Sequence, residues 1–169
     1  MIRPTPLLEF EFRSTIKEFR SNGETEIETL FDYSNHNFQL YIYKTQLMEA
    51  GKELPEGFVS FSTFWLINDQ KHIIGFSNIR HYLTSALCIE GGHIGYSIRP
   101  CERGKGYGKQ QLALILVECL NLGIKEILIT CDFDNAASAK IIEANGGIRI
   151  GETISTRTRK VVFQYRISI

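Results

Sequence analysis

The sequence has no excess of charge of either sign, since 19 Lys and Arg residues balance 19 Asp and Glu residues. A chain without a basic field lacks long-range attraction for nucleic acid, and no aromatic-studded basic face replaces it. The composition therefore argues against a nucleic-acid binder. The balance is uneven along the chain: residues 1–85 carry 8 basic and 11 acidic residues, whereas residues 86–169 carry 11 and 8. An anionic ligand would favour the second half.

Cysteine is scarce and shows no motif. The four cysteines are Cys88, Cys101, Cys119 and Cys131, and no two of them have C-x-x-C spacing. This excludes a zinc pattern and a disulfide framework, so we expect no metal. Cys119 and Cys131 lie in apolar runs and are predicted to be small core residues.

Long apolar runs are missing as well. No stretch approaches the length of about 20 residues that a membrane-spanning helix needs. The opening "MIRPTPLLEFEFR" has Arg, Pro and Glu where a signal peptide needs an apolar segment. We therefore expect a cytoplasmic protein with reduced thiols and no membrane partner. Repeats and linkers are absent too, and 169 residues suit one domain that spans 1–169.

The order of periodic segments predicts an α+β (mixed α/β) fold. Two helices come first, one with apolar residues at helical spacing from Leu8 to Phe19 and one with an apolar stripe from Phe38 to Met48. Asn35 is the predicted cap of the second helix. The period then changes, and "SFSTFWLIND" and "HIIGFSNIRHYL" predict two strands joined by a tight turn.

In the strand predicted from "SFSTFWLIND", the neighbours Phe64 and Trp65 point to opposite faces, so one should pack in the core and the other should face outward.

The rest of the chain alternates between helices and strands. The segment "LTSALCIEGG" is a crossover without an assigned structure. A strand "HIGYSIRP", a helix "GKQQLALILVECLNLG", a strand "KEILITCD" and a helix capped by Asn135 follow. Two final strands form a hairpin that turns near Arg157 and Thr158.

A glycine-rich corner, "CERGKGYGKQ", leads directly into the predicted helix of residues 108–123. Glycines let backbone N–H groups approach a ligand, and a helix N-terminus favours an anion. The spacing fits neither the G-x-G-x-x-G dinucleotide fingerprint nor a P-loop, which argues against a generic nucleotide-binding domain. A diphosphate suits the corner. The alternative is a glycine-rich turn that only starts a helix.

The strand "YSIRP", this corner and the later segment "CDFDNAASAKIIEANGG" together resemble the GNAT superfamily of acyl-CoA-dependent N-acetyltransferases. The resemblance covers residues 58–169, and the wording of "GHIGYSIRP" and "IIEANGG" is similar to a bacterial branch of predicted acetyltransferases. It implies a mostly antiparallel, twisted sheet of about six to seven strands with a splayed central pair, flanked by about four helices. It also implies direct attack of a primary amine on the acetyl-CoA thioester.

The resemblance assigns a cofactor site. The backbone at Ile98 would pair with the pantetheine amide and supply an N–H for the oxyanion, and the thioester would lie between the strands of Ile98 and Cys131. The N–H groups from Arg103 through Lys109 would hold the diphosphate, and Asn135 and Ser138 would lie along the pantetheine arm. The predicted acetyl-CoA-binding residues are Ile98, Arg99, Arg103, Gly104, Lys105, Gly106, Tyr107, Gly108, Lys109, Asn135 and Ser138.

Proton transfer is less well defined by the resemblance. Many family members place a tyrosine as the acid where this chain has Ile142, so the role is vacant, filled by another group, or unnecessary for a thiolate leaving group with a pKa of about 8.5. His93 is the predicted base because its ordinary pKa suits neutral pH, and Glu90 is the second candidate. The alternative for His93 is a residue that only begins a strand.

The resemblance implies a small-molecule or peptide amine as the acceptor, and the sequence leaves the identity of that amine open. Arg80 and His81 are predicted to lie on one strand, on opposite faces, and to line the acceptor pocket; the alternative is a pair of polar residues at a strand end. An arginine in that pocket would suit an acceptor that carries a carboxylate. The resemblance also implies a homodimer, since such domains often dimerise. The alternative function is a non-catalytic acyl-CoA-binding sensor or interaction module on the same fold.

Overall fold

Helices and strands follow the predicted order in the computed structural model, which describes residues 1–25, 27 and 37–169. Within those residues there are five helices and six strands. The helices are α1 Glu9–Ser21, α2 Phe38–Glu49, α3 Ser85–Ile89, α4 Tyr107–Asn121 and α5 Ala136–Glu143. The strands are β1 Phe61–Ile67, β2 Ile73–Arg80, β3 Ile94–Ile98, β4 Glu126–Asp132, β5 Ile148–Ile154 and β6 Val161–Ser168.

The strands form two antiparallel three-stranded sheets, in the orders β1-β2-β3 and β4-β6-β5. In the second sheet, Glu126 of β4 pairs with Ser168 of β6 at one end of the ladder. The pairing of β5 with β6 shifts register between Arg149 and Gly151. This arrangement confirms the predicted α+β class.

The chain divides into two compact units, and each is described separately. The first unit comprises residues 1–78 and 96–107, and the second comprises residues 79–95 and 108–169. The single domain over 1–169 therefore stays a prediction. Among the described helices, none combines the length and the apolar character that crossing a membrane requires.

Stacked aromatic rings from α1, α2 and β1 form the core of the first unit. The Phe12 ring centroid lies 4.9 Å from that of Tyr41 and 5.2 Å from that of Trp65. Such pairs contribute about 0.5–1.5 kcal/mol beyond the area they bury. The prediction that Phe64 or Trp65 faces outward is wrong, because both faces of β1 are covered: Trp65 lies in the aromatic core, and Phe64 is buried with the guanidinium of Arg3 over its ring.

Polar side chains cap the N-termini of α2 and α3. The cap predicted at Asn35 lies outside the described residues, and α2 begins after Asn37, whose Oδ1 accepts the Leu40 N–H at 3.0 Å. The unassigned crossover contains α3, which Thr84 caps. A helix of five residues is too short to show a period, which explains why the sequence did not reveal it.

Apolar stripes of α4 and β4 form the core of the second unit. Leu112, Ile115 and Cys119 of α4 are fully buried, as is Ile127 of β4. Cys131 is also buried, so the prediction that Cys119 and Cys131 are core residues is confirmed, and all four cysteines are free thiols. At the start of α5, Asn135 is the predicted cap, and its side chain accepts the N–H of Ser138 at 3.0 Å.

A charged cluster ties the end of β3 to α1 within the first unit. The guanidinium of Arg99 bonds to Glu18, with Nε 2.6 Å from the carboxylate, and to Glu11. Glu18 also accepts the N–H of Cys101 at 2.7 Å. Burial alone would raise the pKa of Glu18, but the hydrogen bonds from Arg99 and Cys101 outweigh it and lower that pKa. The cluster thus holds the chain just before the glycine-rich corner.

We expect Glu18→Gln to lower the free energy of unfolding by about 1–2 kcal/mol at pH 7, because it removes a charge-assisted partner of Arg99. A carboxyl group whose pKa is lowered by folding stabilises the protein above its unfolded pKa of about 4.3, and this contribution is lost as the pH falls through the folded pKa. Urea denaturation should therefore show a difference that shrinks in acid. Exposed Glu56→Gln is the control, and an unchanged difference at low pH would contradict the assignment.

Candidate functional site

The glycine loop, residues 103–108, presents a row of backbone donors. Gly104 and Gly106 have φ values of 75° and 84°, and an added Cβ would meet no atom within 4 Å at either position. Across the described part of the chain, no protein acceptor receives the N–H groups of residues 104 to 108. These amides precede and begin α4, where the helix dipole adds positive potential. The arrangement suits a diphosphate or a similar anion.

The guanidinium of Arg103 bonds within the protein. Its two terminal nitrogens donate to the carboxylate of Glu24 at 2.8 and 2.7 Å, and Nε donates to the carbonyl of Ile98 at 2.9 Å. The group also lies over the ring of Phe19. The hydrogen bond from Arg103 is the main cause that lowers the pKa of Glu24. Arg103 therefore shapes the loop, and its own N–H donates to the Pro100 carbonyl at 3.3 Å, so the prediction that this N–H holds the anion is not supported. The N–H groups of residues 104 to 108 have no acceptor among the described residues.

The other charged residues of the predicted cofactor site have different environments. Arg99 donates its N–H to the Ile74 carbonyl at 2.8 Å, and its side chain belongs to the cluster on α1. Lys105 pairs with Glu102 at 3.0 Å, and Lys109 is exposed. Tyr107 is the first residue of α4. The contacts of all these residues with acetyl-CoA stay predictions.

His93 bonds to the last residue of β2 and to β4, and all three residues lie within the second unit. The backbone N–H of His93 donates to the Leu128 carbonyl at 2.7 Å, and the Nδ1 of its imidazole accepts the backbone N–H of Leu128 at 3.0 Å. Its carbonyl accepts the N–H of Arg80 at 2.7 Å. The Arg80 guanidinium donates to the carbonyls of Gly91 and Gly92 at 3.1 and 3.0 Å. We call this group, His93 with Leu128, Arg80, Gly91 and Gly92, the His93 clasp.

The second candidate base, Glu90, holds the turn between β5 and β6. Its carboxylate accepts the hydroxyl of Ser155 at 2.6 Å and lies 3.6 Å from the guanidinium of Arg157. The hydroxyl of Ser155 in turn accepts the N–H groups of Arg157 and Thr158. Glu90 is thus engaged in a structural network, and its catalytic role stays a prediction.

Polar groups meet where β4 leads into α5. Burial raises the pKa of the Cys131 thiol, and a hydrogen bond with Ser138 partly offsets that effect. Asn135 uses its side-chain oxygen to cap α5. Ile142 is fully buried, so this position supplies no proton donor. The predicted contacts of Asn135 and Ser138 with the pantetheine arm stay predictions.

The two predicted acceptor residues do not share a strand. β2 ends at Arg80, and His81 lies one residue beyond it, so the prediction that both lie on this strand is wrong for His81. The strand ends there because the chain turns into the cap of α3 at Thr84. Their contact with an acceptor stays a prediction.

Sequence reasoning missed the partners that position these residues. Glu18, Glu24 and Leu128 bind Arg99, Arg103 and His93, respectively, from distant points of the chain. Only the Gly91-Gly92 pair before His93 was a local signal, because paired glycines often mark a close backbone approach. No group of three potential metal-ligating side chains occurs in the described ranges.

Comparison with known proteins gives one family and many similar structures. Residues 13–148 match the family model of the acetyltransferase (GNAT) domain, whereas no curated protein sequence matches the chain. A ribosomal-protein alpha-N-acetyltransferase in complex with coenzyme A has a TM-score of 0.70 and 14% identity, over 99% of this chain and 92% of that one. The microcin C7 self-immunity acetyltransferase, in complex with acetyl-CoA and AMP, has a TM-score of 0.70 and 16% identity, over 99% and 91%.

A third similar structure comes from Salmonella typhimurium. It is an acetyltransferase that modifies the N-terminal serine of a 50S ribosomal subunit protein. Its TM-score is 0.68 and its identity is 14%, over 99% of this chain and 93% of that one. At such identities, the three structures establish a shared fold.

We expect Gly92→Ala to destabilise the protein by at least about 2 kcal/mol, because an alanine fits neither the backbone nor the space. Gly92 has a φ of 59°, and an added Cβ would lie 3.0 Å from the carbonyl carbon of Leu128 and overlap its oxygen. Gly123→Ala is the control, since Gly123 has a φ of 78° in open surroundings. Equal losses in chemical denaturation would show that the approach to Leu128 is unimportant.

Proposed function

The chain belongs to the acetyltransferase (GNAT) domain family, and we propose that it transfers an acetyl group from acetyl-CoA to a primary amine. The observation that carries this proposal is the row of backbone N–H groups at residues 104–108, which have no acceptor among the residues that the structure describes and lie within the match to the family. Similar structures contain coenzyme A or acetyl-CoA, which supports acetyl-CoA as the donor. We propose the cytoplasm as the location, since all four cysteines are free thiols.

The glycine loop would hold the diphosphate of CoA. The amides of the exposed residues 104 to 106 can each donate to a phosphate oxygen, and the two left-handed glycines leave open space where a side chain would otherwise stand. Because Arg103 is bonded to Glu24, the anion would be bound mainly by the backbone. Exposed Lys109 adds positive charge at the first turn of α4.

The backbone at Ile98 would pair with the pantetheine arm. An extended ligand can add to a strand through main-chain hydrogen bonds, as peptides do in β-augmentation. The side chains of Asn135 and Ser138 would border the arm. A neutral amine would then attack the thioester carbonyl, and a backbone N–H near Ile98 would stabilise the oxyanion.

The tetrahedral intermediate would collapse with cleavage of the carbon–sulfur bond. The acetyl group stays on nitrogen, the electron pair leaves with the CoA sulfur, and the surplus amine proton passes to a base or to water. The thiolate can depart unprotonated, which suits the apolar Ile142. To act as the base, His93 would have to give up its hydrogen bond from Leu128. Glu90 would have to give up its hydrogen bond from Ser155.

We propose a peptide or protein amine as the acceptor, ahead of a small-molecule amine. Two of the similar structures are acetyltransferases of ribosomal proteins, and one of these modifies an N-terminal serine. An α-amine is a suitable nucleophile, because its pKa of about 7.7–8.0 leaves a sizeable neutral fraction at physiological pH. A homodimer stays a prediction.

A non-catalytic acyl-CoA-binding module is the second candidate function. The observation that favours it is the engagement of both candidate bases in structural hydrogen bonds, together with the buried Ile142 at the usual acid position. Such a module would bind acetyl-CoA and release no thiol in the presence of any amine.

The proposed function is tested by thiol release from acetyl-CoA with a panel of amines. We expect peptides with free N-termini to yield free CoA thiol and an acetylated product by mass spectrometry, whereas the same peptides with blocked N-termini yield neither. Binding of acetyl-CoA in calorimetry without transfer to any amine would favour the module. No binding at all would overturn both candidates.

We expect Gly106→Ala to raise the Kd for CoA at least about tenfold, a loss of about 1.4 kcal/mol. The reason is that the new methyl group would stand in the open space beside the loop amides. Gly123→Ala is the matched control, because Gly123 has a similar φ and similarly open surroundings at the end of α4. Both variants should lose about 1 kcal/mol of stability. An equal Kd in both would contradict diphosphate binding by the loop.

A further inference from the structure

We propose that His93 is a positioning residue for acetyl transfer, whose imidazole fixes the start of β3 to β4 and is not the base. The inference rests on the proposed function. It depends on the geometry of the His93 clasp, in which one residue bonds to both neighbouring strands. His93 accepts from Arg80 of β2 through its carbonyl, and it exchanges two hydrogen bonds with Leu128 of β4.

The imidazole forms one of the two hydrogen bonds with Leu128. This bond determines which ring nitrogen carries the proton. Because the Leu128 N–H donates to Nδ1, this nitrogen carries the lone pair, and the proton of the neutral ring lies on Nε2. A base must offer a lone pair to the amine proton. The only lone pair of this tautomer is already used, so proton transfer to His93 would cost the bond to Leu128.

The surroundings of His93 favour the neutral ring. Burial lowers the pKa of the imidazole, the hydrogen bond with the Leu128 backbone offsets part of this effect, and the positive charge of Arg80 lowers the pKa again, so that the net shift is downward. Arg80 is half-buried, and its guanidinium bonds to two backbone carbonyls, those of Gly91 and Gly92. A cation held at this point keeps the turn in shape and disfavours a second positive charge on His93.

The glycine turn shows that the close approach to β4 is built into the backbone. Gly91 has a φ of 113° and donates its N–H to the hydroxyl of Thr130 at 2.9 Å. Gly92 lies so near the Leu128 carbonyl that no side chain fits. Thus Gly91, Gly92 and His93 bond or pack against β4 in succession, at residues Thr130 and Leu128.

The position of the clasp along the chain explains how it would affect the reaction. His93 lies five residues before Ile98, and Leu128 lies three residues before Cys131. His93 leads directly into β3, on which the proposed function places the oxyanion donor at Ile98. The clasp would fix the residues that lead into this strand, and small errors in the position of reacting groups are costly in rate.

The test compares His93→Asn with His93→Ala, at a temperature where both variants are fully folded by circular dichroism. Asparagine places its Oδ1 near the position of Nδ1, so it can accept the Leu128 N–H, but it cannot act as a base at neutral pH. His72→Asn is the control, because His72 is exposed in the hairpin between β1 and β2. The measurements are kcat and KM for acetyl-CoA with an accepted amine, and Kd for acetyl-CoA by calorimetry.

We expect His93→Asn to keep kcat/KM within about threefold of the wild type, and His93→Ala to lose at least about thirtyfold. If the asparagine variant were as inactive as the alanine variant, His93 would be the base and the inference would be wrong. If folded His93→Ala had normal kinetics, the clasp would contribute only to stability, which would also overturn it.

The wild-type protein separates this inference from the proposed function. If it transferred acetyl groups, only the kinetics of the variants would decide. If it bound acetyl-CoA without transfer, the proposed function would fail, and a Kd weakened by His93→Ala but kept by His93→Asn would still support positioning. In that second case, an unchanged Kd in both variants would overturn the inference. If the wild type bound no acetyl-CoA at all, the inference would be overturned as well.

Discussion

The rest of the candidate site depends on one constraint, the backbone N–H groups of residues 104 to 108, for which residues 1–25, 27 and 37–169 supply no acceptor. A backbone donor without an acceptor costs free energy when it is removed from water, so a run of such donors persists only where solvent or an anion can reach it. Residues 104 to 106 of the glycine loop meet this condition because they are exposed and include two left-handed glycines. Its neighbours then hold it in place: Arg99 bonds to α1 on one side, and Arg103 bonds to Glu24 and to the Ile98 carbonyl.

Most polar side chains near the predicted site bond to the protein itself. Arg103 pairs with Glu24, Glu90 with Ser155, and the Nδ1 of His93 accepts from Leu128. This pattern gives backbone groups a larger share in ligand binding than the residue types alone suggest. It is also consistent with a reaction that needs little proton transfer from the protein, since an α-amine is partly neutral and a thiolate is a good leaving group.

Much of the fold could be predicted from the sequence because it depends on local patterns. The apolar pattern predicted the helix α4, and the cap at Asn135 follows from the preference of that side chain for a helix N-terminus. The failures have local causes too. Trp65 and Phe64 are both buried because β1 is covered on both faces, which alternation cannot show. Five residues are too few to reveal α3 by period.

The sequence by itself determined the α+β class, the glycine loop at the start of a helix and the resemblance that the family match confirms. Each of these depends on neighbours along the chain, through periodicity, capping and backbone freedom at glycine. Only the tertiary structure decided what the charged and titratable residues bind. Glu24 lies 79 residues from Arg103, and Leu128 lies 35 residues from His93. Such pairs form because folding brings distant backbone and side-chain groups together, and no local pattern records which groups will meet.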